Sequence, residues 1–293
     1  MDRKLSPGTG ILALLGAATL FASNHLSARI AFDHGASVGT AVSVRATFTA
    51  LVLLALMRVQ NVSIAIPREL RGKTLLAGIL IATQSYCLYS AVALIPPALA
   101  LLVFQTSPAL YVLLTWALGK EQPRWRAFAP MVLALGGLSL ALNVRQGFQY
   151  QGTSIGAGVA WAFASGLSMT VVYYLNANAL KPLDSRLRTF AMTAVTAVLV
   201  IVGASAAGAQ ALPRDGAGWA GLALLACFYC VAMMSLFFVL PRVATTSTAA
   251  LNFEPIALFV LGWIILGHTL TPLQIAGAAL TVGSIAWLGI SKK

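Results

Sequence analysis

Long apolar blocks separated by short polar segments dominate this chain. Ten such blocks occur, and most reach the ~20 residues, or ~17 at the short end, that a helix needs to cross the hydrocarbon core of a bilayer. The pattern therefore predicts ten membrane-spanning helices, near residues 10–31, 38–57, 74–93, 98–118, 127–143, 154–176, 189–209, 217–239, 244–266 and 272–290. The longest predicted inner loop, residues 59–73, is expected to run along the membrane surface.

The second half of the chain repeats features of the first. At an offset of 147 positions Pro108 aligns with Pro255, and at an offset of 142 the Phe-Ala-Ser at residues 21–23 aligns with the one at residues 163–165. Each half holds five predicted spans, an odd number, so the second half must insert upside down relative to the first. We expect an all-α membrane protein of ten transmembrane helices, built from two inverted five-helix repeats, residues 1–146 and 147–293.

Composition and charge agree with a membrane protein. The chain is 59% hydrophobic and 9% charged, whereas soluble proteins average ~45–50% and ~25%. If the N-terminus is cytoplasmic, 15 of the 19 Lys and Arg residues fall in inner loops or termini. This bias predicts that both termini are cytoplasmic. The excess of basic residues is thereby explained by topology, and we expect no nucleic-acid partner. We expect a multi-pass protein of the bacterial inner (plasma) membrane, with the lipid bilayer as its surroundings.

Other features argue against several classes of protein. Residues 1–23 resemble a signal peptide, but the apolar stretch continues to Phe32, so a retained first helix is expected. Cys227 and Cys230 form a Cys-x-x-Cys inside a predicted span, and we expect them to pack rather than to bind metal. We expect no metal, no cofactor and no catalytic residue. The oligomeric state cannot be inferred from the sequence.

Two spans carry a proline at mid-depth. Glu254 precedes Pro255 in span nine, and Gln105 and Ser107 precede Pro108 in span four. Each proline removes a backbone donor and breaks the helix. Broken polar segments at matching positions of two halves are typical of transport sites. Glu254 fits a cargo-binding or gating role and, equally, a buried anchor for helix packing.

Polar residues in spans one and two offer further candidates. Asn24 and His25 share a helix face with Phe21 by their spacing. Since an imidazole changes charge near neutral pH, His25 is a candidate for proton coupling, although a neutral helix contact is the favoured interpretation. Arg45, about two turns into span two, is expected to extend towards the lipid headgroups.

Aromatic side chains with polar neighbours recur on spans three, six and eight. Buried Tyr and Trp need a hydrogen-bond partner, which favours a cavity wall over open lipid. We expect much of this set to line a central cavity for an amphipathic organic solute. The candidate cavity residues are Asn24, His25, Gln84, Tyr86, Tyr89, Gln105, Ser107, Trp161, Tyr173, Tyr229, Met233, Asn252 and Glu254, with Pro108 and Pro255 as helix breaks.

These residues resemble a known pattern along essentially the whole chain. The chain resembles the drug/metabolite transporter superfamily, in its EamA-like ten-helix branch, and within that branch the YddG-type exporters of aromatic amino acids. The resemblance rests on the Arg45 segment, Ser107-Pro108, Gly119-Lys120-Glu121, Trp161-Ala162, Glu254-Pro255 and residues 22–29. His268 is a departure, because this position commonly carries a glutamate in the family. The resemblance implies export of small metabolites by alternating access.

The residues themselves favour a carrier but do not identify its cargo. No Gly-x-x-x-x-Gly-Lys-Ser/Thr loop for ATP occurs, so the driving force is a proton gradient, exchange or facilitated diffusion. We expect a secondary transporter that exports small amphipathic metabolites, amino acids with aromatic or other hydrophobic side chains being the leading candidates. The alternatives are an intramembrane enzyme, a multidrug or other metabolite carrier of the same fold, and a non-transporting sensor or assembly factor. The enzyme would need a motif such as His-Glu-x-x-His or paired intramembrane aspartates, and neither occurs.

Overall fold

The computed structural model describes residues 5–119, 155–239, 253–267 and 271–290, and the separate positions 129, 132, 133, 136, 137, 140, 242, 250 and 251. Within these residues all regular structure is helical. The helices are α1 (Pro7–Asp33), α2 (Val38–Val59), α3 (Arg68–Leu94), α4 (Pro97–Phe104), α5 (Ser107–Ala117), α6 (Ile155–Ala177), α7 (Ser185–Ala206), α8 (Gly216–Val239), α9 (Glu254–Leu266) and α10 (Pro272–Ile290).

The helices follow the predicted apolar blocks closely. In the described part of the chain seven stretches are long and apolar enough to cross a membrane, with α4 and α5 together forming one of them. The predicted fifth span is described only at six positions between 129 and 140, which are helical. The boundary between residues 146 and 147 lies outside the described residues. The count of ten spans and the two-domain division therefore stay predictions.

One predicted loop is partly wrong. Residues 59–73 were expected to lie along the membrane surface, but α3 already begins at Arg68. Pro67 immediately precedes the first turn, and Arg71 donates from Nε to the carbonyl oxygen of Ile66 at 3.1 Å. Three basic residues that were assigned to the loop therefore lie in the first turns of α3, before the predicted apolar block: Arg68, Arg71 and Lys73.

Polar caps and prolines set the other helix ends. Ser37 accepts a hydrogen bond from the backbone N–H of Thr40 at 3.1 Å at the start of α2. Asp184 accepts one from Arg186 N at 2.8 Å at the start of α7. These side chains satisfy donors that a first helical turn leaves without partners. Pro97 opens α4, where a missing N–H breaks no helical hydrogen bond.

The helices bury small and polar side chains and expose large apolar ones. On α7, Thr193 and Thr196 are buried, whereas Val198, Ile201 and Val202 are exposed. Such an arrangement suits lipid surroundings, which solvate apolar side chains and penalise unpaired polar groups. With seven membrane-length helices, it supports an integral multi-pass membrane protein.

Helices of the first half pack mainly against helices of the second. The strongest packing joins α1 with α8, α3 with α6, and α2 with α7. The first helix of each half therefore contacts the third helix of the other, and the two second helices contact each other. Exchanging the halves leaves this set of pairs unchanged.

Helices α1 and α6 run in opposite directions, and so do α2 and α7. Arg29, near the end of α1, donates to backbone carbonyls at the end of α3, at 3.2 and 3.3 Å. Gly158, in the first turn of α6, packs against Ile95 directly after α3. Hence α6 starts at the end of the molecule where α1 finishes. Likewise Thr40, at the start of α2, donates from Oγ1 to Ala211 O just after α7, at 2.8 Å.

Glycines allow the closest approaches between helices. A Cβ atom at Gly78 in α3 would lie 2.6 Å from Val195 Cβ in α7. One at Gly158 would lie 2.5 Å from Ile95 Cγ2. Both distances are shorter than a van der Waals contact, so these helices pack backbone against side chain, as small residues permit in membranes.

Candidate functional site

The fourth span is broken where the sequence predicts. Helix α4 ends at Phe104, Gln105 and Thr106 interrupt it, and α5 begins at Ser107 with Pro108 in its first turn. Thr106 Oγ1 donates to Val103 O at 2.8 Å. From α6, the Thr170 hydroxyl donates to the carbonyl oxygen of Ser107 at 3.2 Å. The same hydroxyl also reaches the carbonyl oxygen of Gly166 in its own helix at 2.8 Å, so Thr170 links α6 to the start of α5 directly after the break.

Helix α9 begins in the same way as α5. Glu254 is its first residue and Pro255 lies in its first turn. The residues before the two helices, Thr106 and Phe253, have the same backbone angles, φ −70° and ψ −17°. Pro108 and Pro255 therefore both lie in the second position of a helix, after residues with the same backbone conformation. Most of the predicted ninth span before Phe253 lies outside the described residues, so a helix break at Pro255 stays a prediction.

His25 of α1 contacts the first residue of α9. Its Nε2 lies 3.3 Å from Glu254 Oε1, and the side chains are 7% and 18% exposed. His25 Nδ1 is buried without a hydrogen-bond partner. The contact joins the first helix of the first half to the start of α9 in the second half. Its chemistry is that of an acid and a base at hydrogen-bond distance, in surroundings where unpaired charge is unfavourable.

Tyr89 of α3 connects this contact to a wider polar cluster. Its ring centre lies 5.7 Å from that of His25. Its hydroxyl donates to the Asn24 side chain at 2.7 Å and accepts from Arg45 Nη1 at 3.3 Å. Tyr89 and Asn24 are fully buried. With the Asn24 amide turned so that its nitrogen faces Tyr89, that nitrogen also reaches the carbonyl oxygen of Leu225 in α8 at 3.1 Å.

Arg45 occupies the centre of the cluster, which corrects the expectation that it extends to the headgroups. It is 5% exposed. Its guanidinium carbon lies 4.7 Å from the ring centre of Tyr89 and 4.1 Å from that of Tyr229. Nη2 donates to Ser85 Oγ at 2.8 Å. Two tyrosine faces and two hydroxyl acceptors stabilise the cation inside the protein, so it does not need the lipid surface.

The cluster continues into α6. Ser85 Oγ donates to Gln84 Oε1 at 3.3 Å, and Gln84 Nε2 donates to Ser165 Oγ at 3.2 Å. A hydrogen-bonded chain therefore runs from Asn24 through Tyr89, Arg45, Ser85 and Gln84 to Ser165, across four helices. We call these six residues, with His25, Glu254 and Tyr229, the central polar cluster.

Other predicted residues border the cluster. Tyr173 of α6 stacks edge-to-face on Tyr111 at 6.3 Å between ring centres. Its phenol approaches Ser107 and lies in electrostatic range of Glu254. The approach does not reach hydrogen-bond geometry, so the buried Ser107 Oγ has no partner. On α8, the Tyr229 ring packs on Phe21 at 5.9 Å. Gln105 and Met233 are half-buried.

Two predicted residues lie apart from the cluster. Tyr86 of α3 and Trp161 of α6 are 37% and 40% exposed. Their rings pack edge-to-face at 6.5 Å on the outer side of this helix pair. The structure does not bring them to the central polar cluster. Asn252, Glu121 and His268 lie outside the described residues.

The first half of the chain is similar to a known transporter family. Residues 8–143 match the EamA-like transporter family. The match covers slightly less than half of the 293 residues. It supports the family resemblance drawn from the sequence and, with it, membrane transport of small molecules.

A solved crystal structure shares the fold. Described only as "Crystal structure of protein", it has a TM-score of 0.68 and 20% sequence identity, and the match covers 96% of this chain and 96% of that chain. At this identity the likeness concerns the fold alone. No curated protein matches the chain.

Three members of the central polar cluster were missed as site residues in the sequence. Arg45 was placed at the lipid surface, and Ser85 and Ser165 were not considered. The available signal was spacing: Ser85 lies one helical turn before Tyr89, and Ser165 one turn after Trp161. Small hydroxyl residues are so frequent in membrane helices that spacing alone does not single them out.

A Gly-x-Ser-x-Gly motif lies at residues 35–39, in the connection between α1 and α2. The same motif surrounds the nucleophile of many serine hydrolases. Here Ser37 is the N-cap of α2, and its hydroxyl also accepts from Ala211 N at 3.1 Å. The adjacent His34 pairs instead with Asp215, Nδ1 to Oδ2 at 2.7 Å. These contacts join the segment between α1 and α2 to the segment between α7 and α8. Ser37 therefore has a structural role as the cap of α2.

Proposed function

We propose that this protein is a secondary transporter that exports small amphipathic metabolites, above all amino acids with aromatic or other hydrophobic side chains. Alternating access through a central cavity between the two halves is its mechanism. The observation that carries the proposal is the largely buried contact of His25 with Glu254, directly before Pro255 in the first turn of α9.

The equivalence of the breaks supports alternating access. A broken helix bends at its break more easily than an intact one, because a hydrogen bond is missing there. Pro108 and Pro255 lie in the first turns of α5 and α9, after residues with identical backbone angles. Two equivalent hinges, one in each half, let the molecule open first to one side and then to the other.

The opposite direction of α1 and α6, and of α2 and α7, supports an inverted repeat. In such a repeat the same rearrangement performed by each half in turn exposes a fixed midplane site to the two sides of the membrane. The pairing of α1 with α8 and of α3 with α6 fits this exchange, since the two interfaces map onto each other.

The central polar cluster supports a polar cargo with an apolar part. Buried polar groups are unfavourable in a membrane protein unless they are paired or serve a water-filled path. Tyr89 lies beside Asn24, Tyr229 lies beside Arg45, and Tyr173 lies in electrostatic range of Glu254. Rings beside polar groups suit a solute that carries both an apolar side chain and charged ends. The resemblance to YddG-type exporters supports the outward direction.

Reconstituted vesicles test the proposal. The purified full-length chain would be inserted into liposomes preloaded with unlabelled phenylalanine, tryptophan or leucine, and uptake of the labelled amino acid would be followed. We expect uptake that saturates with concentration and is accelerated by unlabelled amino acid on the far side. Empty liposomes give the background rate.

The other outcomes separate the alternatives. Movement of an amphipathic cation such as ethidium without any amino acid would favour a multidrug carrier of the same fold. Absence of movement for every solute would contradict the proposal. An imposed pH gradient tests coupling, because accumulation that follows the gradient requires proton-driven transport.

A further inference from the structure

We infer that Arg45 is the anion-binding group of the central cavity and that it selects cargo carrying a carboxylate. This inference rests on the proposed transport function and assigns the recognition of one end of the cargo to one residue. The starting observation is a cation that is 5% exposed and, among the described residues, forms no ion pair with a carboxylate.

The guanidinium is stabilised by neutral groups only. Its contacts are the faces of Tyr89 and Tyr229 and the hydroxyl oxygens of Tyr89 and Ser85. Arg45 Nε is buried and donates to nothing. A positive charge without a counter-ion in surroundings of low polarity attracts an anion more strongly than one in water does. Arginine also presents a planar fork of donors that matches a carboxylate.

Glu254, the acid that the structure places in the cluster, contacts His25 at 3.3 Å rather than Arg45. Tyr89 contacts both the His25 ring, at 5.7 Å between ring centres, and the guanidinium carbon of Arg45, at 4.7 Å from its ring centre. The cluster therefore has a carboxyl–imidazole pair and a guanidinium that contact the same tyrosine. A zwitterion or a carboxylic acid with an aromatic body complements this arrangement.

The position of Arg45 explains how cargo gains access to it. Tyr89 belongs to α3 in the first half and Tyr229 to α8 in the second half. Because one ring comes from each half, a separation of the halves at this point would remove one of the two rings from the guanidinium. The buried state described here then corresponds to the site closed around the cation.

A purely structural role is the competing explanation, in which Arg45 only holds α2 to α3 and α8. Matched solutes distinguish this structural role from recognition of a carboxylate. The full-length chain in liposomes, with the membrane potential held at zero by valinomycin and equal potassium, would be offered phenylalanine, phenylalaninamide, 3-phenylpropionate and 3-phenylpropionamide. Each pair differs in the carboxylate alone.

We expect the wild type to move at least one carboxylate faster than its amide. Arg45→Gln is expected to slow that carboxylate by about tenfold or more, the usual effect of losing a charge-assisted hydrogen bond. The rate of the matching amide should stay within about twofold of its own wild-type rate, because neither amide has a negative charge for Arg45 to bind. Arg45→Lys should restore part of the preference for the carboxylate because it keeps the cation.

Arg29→Gln is the matched control. Arg29 pairs with Asp33 at the edge of α1, so this variant should leave the preference for the carboxylate unchanged.

Three results would overturn the inference. Equal loss of carboxylate and amide rates in Arg45→Gln assigns Arg45 a structural role. Transport of amides without any preference for carboxylates in the wild type refutes the inference alone and leaves the transporter proposal standing. Transport of none of the four solutes or of the amino acids above refutes both.

A measurement without variants covers the case in which Arg45→Gln does not fold. In detergent, 3-phenylpropionate should raise the thermal unfolding midpoint of the wild type, and 3-phenylpropionamide at the same concentration should not. Equal shifts for the two solutes, or no shift for either, would count against the inference.

Discussion

His25 Nε2 lies 3.3 Å from Glu254 Oε1, and this contact joins α1 of the first half to the start of α9 in the second. Both side chains are largely buried, with 7% and 18% exposure. A contact between halves at a helix break is well placed to respond to cargo or to set the order in which the halves move.

Glu254→Gln should therefore reduce transport without preventing folding. Glutamine keeps the size of the side chain and a hydrogen bond to His25, but it removes the charge. We expect the flux of the preferred amino acid in vesicles to fall by at least about tenfold, which corresponds to ~1.4 kcal/mol. If the variant inserts normally into the membrane and its flux is unchanged, the transport role is contradicted and Glu254 only anchors the packing of the helices.

A double substitution tests whether the two residues act as one unit. His25→Ala should also lower the flux, and Glu254→Gln combined with His25→Ala should be no worse than the more severe single change. Residues in direct contact typically show coupling of ~0.5–3 kcal/mol. Losses that multiply independently would contradict a shared role for the contact.

Tyr89→Phe should destabilise the protein, because the Tyr89 hydroxyl serves both Asn24 and Arg45. Removing it leaves buried polar groups without a partner, at a cost of ~1–3 kcal/mol in the free energy of unfolding. Tyr86→Phe on the same helix is the control, since Tyr86 is 37% exposed, and a change within ~0.5 kcal/mol is expected. Unfolding in detergent measures both, and equal effects would contradict the central position of Tyr89.

The positions of the spans could be predicted because bilayer thickness fixes the length of an apolar block. Helix α2 begins at Val38, the predicted first residue, and α6 begins at Ile155, one residue after the predicted start. The interruption before Pro108 followed equally from local chemistry, since a proline cannot donate its helical hydrogen bond.

The rotation of each helix about its axis could not be predicted in the same way. In a membrane helix apolar residues occur on all sides, so no apolar stripe marks the buried face. Arg45 was expected to reach the lipid headgroups because the sequence gives its depth in the membrane but not the direction in which its side chain points. Tyr86 and Tyr89 show the same limit, since they lie less than one turn apart, yet Tyr89 is 0% exposed and Tyr86 37%.

Gly78→Ala should weaken the packing of α3 on α7. The new methyl group would lie 2.6 Å from Val195 Cβ, so the helices must move apart. Overpacking of this kind costs ~1–3 kcal/mol in unfolding free energy. Gly203→Ala in α7 is the matched control, because nothing lies within 4 Å of its added carbon. It should be neutral or stabilise by up to ~1 kcal/mol through helix propensity. Equal destabilisation by the two variants would contradict the close approach at Gly78.

Acid should loosen the connection between the loops that follow α1 and α7. The backbone N–H of Gly218 and the side chain of His34 hold the pKa of Asp215 below its usual value. The carboxylate therefore stabilises the folded state above the unfolded pKa of about 3.9, and this contribution is lost as the pH falls through the lower folded value.

Asp215→Asn should accordingly lower the unfolding midpoint near neutral pH and match the wild type once the pH is below both values. Asp184, whose pKa is lowered chiefly by the side chain of Arg186, offers an independent comparison beside α7 at the opposite end of the molecule. The effects of Asp184→Asn and Asp215→Asn should add, because the two sites share no partner. A pH-independent difference between Asp215→Asn and the wild type would contradict the role of the charge.

Cysteine labelling should establish which end of the molecule faces the cytoplasm. Ser63, in the connection from α2 to α3, and Leu212, before α8, are both exposed and lie at opposite ends of α2. The excess of basic residues predicts that Ser63 is cytoplasmic and Leu212 external. A membrane-impermeant maleimide should thus label Ser63→Cys only in inside-out vesicles and Leu212→Cys only in right-side-out vesicles. Both variants would be made in a Cys227→Ser background, because Cys227 is exposed whereas Cys87 and Cys230 are buried, and the Cys227→Ser chain alone gives the background labelling. Labelling of both variants from one side would contradict the fold, whereas a complete reversal would keep the fold and refute the charge rule for this chain.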